Sequence, residues 1–283
     1  MKKLNKIILA TLLCSTLYAK EEEQHHHVGS NNIKVNYEIL DFSNSKKKKD
    51  GKRYGVELDH EDKNNHFQLY YEKTNTNTTQ IVSKDLEVKK YTFKYQYKLS
   101  DKERFTFLYA TIDDNLMVET DGGNIYGIGY NNHGAGVTQY ISNYPHFDVY
   151  QSDIKYAFKN IYLKTTLIGK YIHIKDKNSN GFSKNAKQDY FTAGIKLHQH
   201  YKGFHLGAGV YLGERIFAVM KDGFKVQHHA MEFKESYMIG IGHSLGENID
   251  THIRYGYHKA EEIPTKNDNV KVQNLSFDLI YKF

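Results

Sequence analysis

The stretch that decides the fold is residues 274–283, "NLSFDLIYKF". Large apolar side chains occupy every second position, namely Leu275, Phe277, Leu279, Tyr281 and Phe283, and mostly polar residues lie between them. A period of two is typical of a β-strand with one apolar face and one wet face. The same alternation returns along the chain, most clearly in "KYTFKYQYKL" at 90–99. It predicts about 14 strands between residues 32 and 283, or roughly 12 if the weaker segments are loops.

Composition agrees with a chain made of strands. The protein has 24 Tyr and 15 Phe but only 2 Pro, and its net charge is +6. The mean hydropathy is −0.69, as in many soluble proteins. After residue 19 no stretch approaches the 18 or so apolar residues that a membrane-spanning helix needs. A soluble exported protein and a transmembrane β-barrel both fit these counts.

Residues 1–19 carry the pattern of a secretory signal peptide. Three lysines precede an apolar run from Ile7 to Leu17, and Ala19 marks the expected cleavage site. The alternative is a retained N-terminal anchor, but the apolar run is short for a span. Cys14, the only cysteine, lies inside this leader, so we expect neither disulfides nor thiolate chemistry in the mature chain. Residues 20–31 are predicted to be a short periplasmic segment.

The connections between the alternating segments are sorted by length. Short turns such as 202–203 alternate with long polar loops such as 175–188, and only the short loop at 143–146 breaks the order. This alternation indicates an all-β, up-and-down antiparallel transmembrane barrel over residues 32–283, with short periplasmic turns and long outer loops. A Greek-key sandwich has no reason to sort its loops in this way.

The closing strand, with Phe283 terminal and Tyr281 two residues before it, resembles the C-terminal strand of Gram-negative outer-membrane β-barrel proteins. In length and strand number the chain is similar to monomeric porins of the outer membrane protein G type, although the subfamily is unassigned. The resemblance implies an outer-membrane location and an assembly signal at Tyr281 and Phe283 for the barrel-assembly machinery. It also implies outer-membrane lipid and lipopolysaccharide as surroundings; the basic run 45–52 is a candidate contact for lipopolysaccharide.

The predicted function is passive diffusion of small polar or ionic solutes through a wet lumen. Alternation turns charges of both signs inward, with cations in excess, which predicts mild anion selectivity or, alternatively, cross-strand pairing that only stiffens the wall. The lumen-lining candidates are Lys90, Lys94, Lys98, Arg104, Lys155, Lys164, Lys196, Lys234, Arg254, Glu57, Asp153 and Asp250.

Histidines form a second candidate site. A two-residue turn at 202–203 pairs His200 with His205, and His198 lies further along the same face, near the periplasmic mouth. Three inward imidazoles predict a pH gate or a metal site, or simply wet lumenal side chains. The "HHH" run at 25–27 is a weaker metal candidate or a polar linker.

Catalysis is not predicted. "GHSLG" at 242–246 matches a hydrolase nucleophile motif, but no helix follows Ser244, as that motif requires. A barrel phospholipase is a less favoured alternative, because we find no serine at the right spacing from a histidine. We expect no cofactor and no nucleic-acid partner. The other alternative is a non-channel barrel, an adhesin or structural surface protein, and it is favoured if Tyr70, Tyr162, Tyr211 or the loop 213–225 fills the lumen.

Overall fold

The computed structural model describes residues 29–116, 122–160, 163–177, 187–227 and 230–283. The predicted signal peptide at 1–19, most of the predicted periplasmic segment, the histidine run at 25–27 and Tyr162 lie outside these residues. Within them, no helix is long and apolar enough to cross a membrane. The 3-10 helices of the described chain are Lys221–Gly223 and Ile263–Thr265.

Strands make up nearly all of the described chain. Their bounds are β1 Ser30–Ser43, β2 Lys48–Glu61, β3 Asn65–Thr78, β4 Leu86–Lys98, β5 Glu103–Asp114, β6 Gly123–Asn132, β7 Ala135–Asn143, β8 Phe147–Lys159, β9 Lys164–Asp176, β10 Asp189–Tyr201, β11 Phe204–Arg215, β12 Val219–Met220, β13 Lys225–Val226, β14 Met231–Leu245, β15 Ile249–Glu262 and β16 Asn267–Lys282. All except β12 and β13 form one closed antiparallel barrel in chain order. The predicted barrel of 14 strands is therefore confirmed, and the alternative of 12 is wrong.

The barrel closes between its first and last strands. Ile33 lies opposite Tyr281 and Ile39 opposite Leu275, so the closing stretch pairs with the segment that the sequence predicted. Backbone bonds between Asn31 and Phe283 continue this pairing to the end of the chain. Closure satisfies the backbone groups of every strand without leaving an edge, which hydrocarbon requires.

The loops are sorted by length only in part. The end of the barrel that holds the chain termini carries short turns, and Lys202 and Gly203 both have positive φ, as a tight hairpin turn needs. At the opposite end the short loop 144–146 is the predicted exception, but the connections 44–47 and 263–266 are also short, because the strands on either side of them extend toward each other. Several strands are longer than the 9–11 residues that cross a bilayer; β16, for example, has 16 residues.

The two faces of the wall differ in polarity. Apolar side chains such as Leu69 and Phe93 point outward and are 52% and 40% exposed, whereas Glu72 and Lys94 on the same strands are buried. This arrangement offers lipid an apolar belt and keeps charges inside. It also explains why a membrane-type barrel has a low mean hydropathy.

Strict alternation fails at the outer end of β11 and β14. The register shifts between Leu212 and Arg215 and again between Phe233 and Glu235. Phe233, which strict alternation would place on the outward face, is consequently turned inward, where it packs in one cluster with Leu40 and Val272. A β-bulge inserts an unpaired residue and so reverses the side-chain alternation beyond it.

The segment between β11 and β14 does not stay outside the barrel. Residues 216–227, named here the inner loop, carry the small β12–β13 hairpin and enter the lumen. Ile216, Phe217 and Ala218 are almost fully buried against inward side chains of the wall, including Phe147 and Ile174. This segment, together with the lumenal face around it, defines the candidate site.

Candidate functional site: the lumen and its inner loop

The inner loop is bound to the wall through the backbone of Val219. The Gln151 amide on β8 accepts from the Val219 N–H at 2.8 Å and donates to its carbonyl oxygen at 2.8 Å. Lys170 on β9 donates to the same carbonyl at 3.1 Å and is also paired with Asp153. Gln151 and Lys170 are buried. The backbone N–H and carbonyl of Val219 therefore form hydrogen bonds with side chains of the wall, in place of the bonds that a neighbouring strand supplies in a sheet.

The tip of the inner loop has a left-handed backbone. Lys221, Asp222 and Gly223 have φ of 52°, 53° and 106°. A Cβ added at Gly223 would lie 1.8 Å from Cδ1 of Leu108, so the tip lies directly against β5. Positive φ costs non-glycine residues free energy, and such turns persist only where surrounding contacts hold them.

Charged and aromatic contacts fix the tip to other strands. Lys90 on β4 donates to the Phe224 carbonyl at 2.5 Å, and the Phe224 ring lies 5.9 Å from that of Tyr70, edge to face. Lys94 lies 4.9 Å above the same Phe224 ring. The tip is therefore held by two wall lysines, of which Lys90 is also paired with Glu72 at 3.4 Å.

Two ion pairs complete the attachment. Lys225 pairs with Glu38 on β1 at 2.9 Å, and Glu38 is also bound by Arg53 at 2.5 Å. Asp222 lies 3.5 Å from Lys155 on β8, and this lysine, helped by its neighbours in the wall, holds the pKa of Asp222 well below its usual range. Because β1 and β8 lie on opposite sides of the barrel, the loop spans the lumen.

The predicted lumen residues have the following places in the structure. Those that touch the inner loop are Lys90, Lys94 and Lys155. Those held by other wall residues are Lys98 with Glu61, Arg104 with Gln96, Lys196 with Tyr211, Arg254 with Asp278, Glu57 with Lys34, Asp153 with Lys170 and Asp250 with Lys282. Lys164 lies half-buried at the periplasmic end of β9.

Lys234 departs from the expected position. It occupies the bulge between Phe233 and Glu235 and pairs with Glu261 at 2.7 Å at the outer rim. Arg215, which the sequence did not single out, takes the inward position beside it, fully buried and stacked 5.4 Å from the rings of Tyr211 and Phe233. Alternation could not find this arginine, because two bulges determine its direction.

The predicted histidines meet at the end of the barrel that carries the short turns. His200 lies opposite His205, as predicted, and their rings stack at 4.1 Å. The ring centroid of His198 lies 6.3 Å from that of His205. The ring centroid of His252 on β15, a residue that the sequence did not single out, lies 5.5 Å from that of His205. Across the described part of the chain, no group of three or more His, Cys, Asp or Glu side chains is arranged to hold a metal ion. The geometry gives the metal hypothesis no support, and the pH gate stays a prediction.

A serine also joins this cluster. His205 Nε2 lies 3.2 Å from Ser244 Oγ, a pairing across β11 and β14 that the sequence analysis missed because the two residues are far apart in the chain. Asp250 lies opposite Ser244 and is paired with Lys282, and no carboxylate of the described residues is hydrogen-bonded to the His205 ring. A serine nucleophile needs a base that is itself held by a third group, and that order is not met here.

No protein-family model matches the sequence, and no curated protein matches it either. Among solved structures, the chain is similar to the outer membrane protein Omp33 of Acinetobacter baumannii, with 7% identity, 90% of this chain and 99% of that chain covered, and a TM-score of 0.51. It is also similar to the toluene transporter TodX of Pseudomonas putida, with 10% identity, coverage of 89% and 88%, and a TM-score of 0.49. A third similar structure is OprD of Pseudomonas aeruginosa, with 9% identity, coverage of 90% and 95%, and a TM-score of 0.45.

The fold and this likeness define the class. The chain is a closed, 14-stranded antiparallel barrel with the fold of Gram-negative outer-membrane β-barrel proteins. At 7% identity the likeness to Omp33 concerns the fold alone, so function has to be argued from the lumen.

Proposed function

We propose that the protein is an outer-membrane channel for small polar or ionic solutes, and that its inner loop restricts passage. The carrying observation is the inner loop itself, which is attached to β1, β4, β8 and β9 and divides a lumen wide enough for water. A pore with such a constriction admits solutes by size and charge at that point, and general diffusion is limited.

The attachment favours a movable restriction over a permanent core. Most of its polar contacts are single ion pairs or backbone bonds to side chains, and its tip has strained backbone geometry. The apolar contacts of Ile216 and Phe217 act in the other direction, because burying them stabilises the inserted position. Opening the lumen therefore requires the loop to break both its polar and its apolar contacts.

Mild anion preference is part of the proposal. Many inward carboxylates are already neutralised, for example Glu38 by two cations and Asp278 by Arg254. Lys94, Lys196 and Lys221 have no ion pair with any carboxylate of the described residues. Unpaired cations leave a positive potential along the solute path, which favours anions.

Location and assembly belong to the same proposal. We infer an outer-membrane location from the fold together with the predicted leader at 1–19. Tyr281 and Phe283 are exposed on the outer face with rings 5.9 Å apart, a position accessible to the barrel-assembly machinery. A surface exposed in this way is accessible to outer-membrane lipid and, at the outer rim, to lipopolysaccharide.

The second candidate function is a closed, non-channel barrel. The first observation in its favour is the condition that the sequence sets for it: the loop enters the lumen, and Tyr70 and Tyr211 are buried. The second is the tight apolar packing of Phe217 with Tyr144 and Phe147, whose ring centroids lie 5.7 and 4.8 Å from that of Phe217. Such packing is typical of a protein interior. The two candidates differ in whether ions cross the folded protein.

Conductance in a planar bilayer separates them. The wild type should give small discrete steps, with a reversal potential on the anion side in a salt gradient. Lys196→Gln should reduce that preference, whereas Lys159→Gln, an exposed residue at the end of β8, should leave it unchanged. A folded protein that gives no steps at any voltage would refute the channel and leave the closed barrel.

A further inference from the structure

A cavity of about 90 Å³ lies between the inner loop and the wall of the barrel. One side is apolar and is made by Leu40, Phe42, Phe233 and Val272. The other side is cationic, and no aspartate or glutamate among the residues that the structure describes lines the cavity. A partly open cavity with this polarity is unlike the rest of the lumen, where charges of both signs alternate.

Arg215 is the residue that stands out in this cavity. It is 1% exposed, and no carboxylate of the described residues is paired with it. Its Nε donates to Gln227 at 3.1 Å and its Nη2 donates to Ser236, both neutral groups. Its Nη1 is buried and has no hydrogen-bond partner within the described chain. Buried guanidinium groups are normally paired with an anion. The Nη1 group of Arg215 is therefore available to donate a hydrogen bond to an anionic ligand.

Other cations strengthen the positive charge. Lys196 and Lys221 line the same cavity and have no carboxylate partner among the described residues. Arg53, Lys225 and Arg254 also line it, but each of these three is paired with a carboxylate, Arg53 and Lys225 with Glu38 and Arg254 with Asp278. The surplus charge at the cavity is therefore positive and is concentrated around Arg215.

We propose that this cavity binds a small organic anion, namely a monocarboxylate with a short apolar tail. The carboxylate accepts from Nη1 of Arg215, and the tail lies on the apolar side against Phe42 and Val272. Arginine suits a carboxylate because its N–H groups form strong charge-assisted bonds. An inorganic anion pairs with the cations but leaves the apolar side of the cavity without a contact. The apolar side therefore favours an organic anion with a short apolar tail.

The inner loop makes this site dependent on its own position. Gln227, which holds Arg215, belongs to the inner loop, as do Met220 and Val226, which line the cavity. A bound carboxylate is therefore enclosed by the same segment that restricts the lumen. The proposal rests on the proposed function only where it makes the bound anion a solute of the channel. Binding of the anion to the cavity does not require transport.

Calorimetric titration of the full chain in lipid nanodiscs tests the site, with butanoate as the probe and protein-free nanodiscs as the blank. We expect one butanoate per chain. Acetate, which lacks two methylene groups, should bind about tenfold more weakly. Butylamine and butanol should not bind. Arg215→Met should weaken the affinity for butanoate by at least about tenfold, and Lys159→Met, at the exposed end of β8, should not.

A second pair of variants protects the test against misfolding. Phe42→Ala should weaken butanoate but not acetate, and Arg215→Lys should keep part of the affinity. Absence of butanoate binding to the wild type, or an unchanged Kd in Arg215→Met, would overturn the proposal. Inorganic phosphate that binds as tightly as butanoate would also overturn it, in favour of a plain anion site. Because no current is measured, these outcomes are separate from the conductance test.

Discussion

The hydrogen bonds between Gln151 and Val219 make the sharpest prediction about the inner loop. In Gln151→Leu the side chain keeps its approximate volume but loses both bonds of 2.8 Å. The Val219 carbonyl keeps its hydrogen bond from Lys170 at 3.1 Å. The Val219 N–H loses Gln151, which is its only hydrogen-bond acceptor among the described residues. An orphaned buried N–H costs about 1–3 kcal/mol, and in this case only the inserted loop bears that cost.

Such a cost raises the ratio of displaced to inserted loop by a factor of about 5 to 150. In single-channel recordings we expect more frequent or longer large-conductance openings. Gln139→Leu is the matched control, because Gln139 lies on the neighbouring strand β7 but is exposed on the outer face. If Gln151→Leu records like wild type and Gln139→Leu, the bonds to Val219 do not hold the loop and the reasoning is refuted.

Further predictions concern the tip of the loop, the histidines and the end of the chain. Gly223→Ala should displace the tip and enlarge the conductance, because a Cβ there meets Leu108 and φ is 106°; unchanged conductance would mean that the tip is not in the path. Asp222→Asn should shift the reversal potential further toward anions, since it frees Lys155; a shift toward cations would contradict this. The lowered pKa of Asp222 makes its stabilising effect complete above its ordinary pKa of about 4 and lost only as pH falls through the lower folded value, so Asp222 should produce no gating change between pH 5 and 8. Any such change belongs to the histidines and should disappear in His200→Ala; if it persists there, the histidine gate is wrong. Phe283→Ala should lower the amount of folded barrel in outer membranes, measured by heat-dependent gel mobility, and an unchanged yield would count against the assembly signal.

The barrel itself could be predicted because lipid and water impose it on the sequence. Residues such as Leu279 and Phe277 must alternate with polar ones when one face meets hydrocarbon, and turn length follows from the side of the membrane. The register of His200 with His205 was also accessible, because a two-residue turn fixes its flanking pairs. These are local properties of the chain.

The lumen could not be predicted to the same extent, because its contacts are long-range. Lys225 and Glu38 are 187 residues apart, and nothing near either one indicates the other. Arg215 and Phe233 face inward because of bulges, which alternation does not reveal. One signal was present: Ile216 to Val219 are apolar within a long loop, which is unusual for a segment exposed to water. The sequence marks the loop 213–225 as the feature that separates a channel from a closed barrel, but it does not show that the loop lies inside the lumen.

The central claim is that residues 216–227 lie in the lumen and limit passage. The most direct test replaces this segment with a short Gly-Ser linker and compares its single-channel conductance with that of the wild type, after far-UV circular dichroism has verified the β-content of both. The account predicts a conductance several-fold larger in the variant, with the large openings of Gln151→Leu becoming the permanent state. A folded variant with the same conductance as the wild type, or with none, would contradict it.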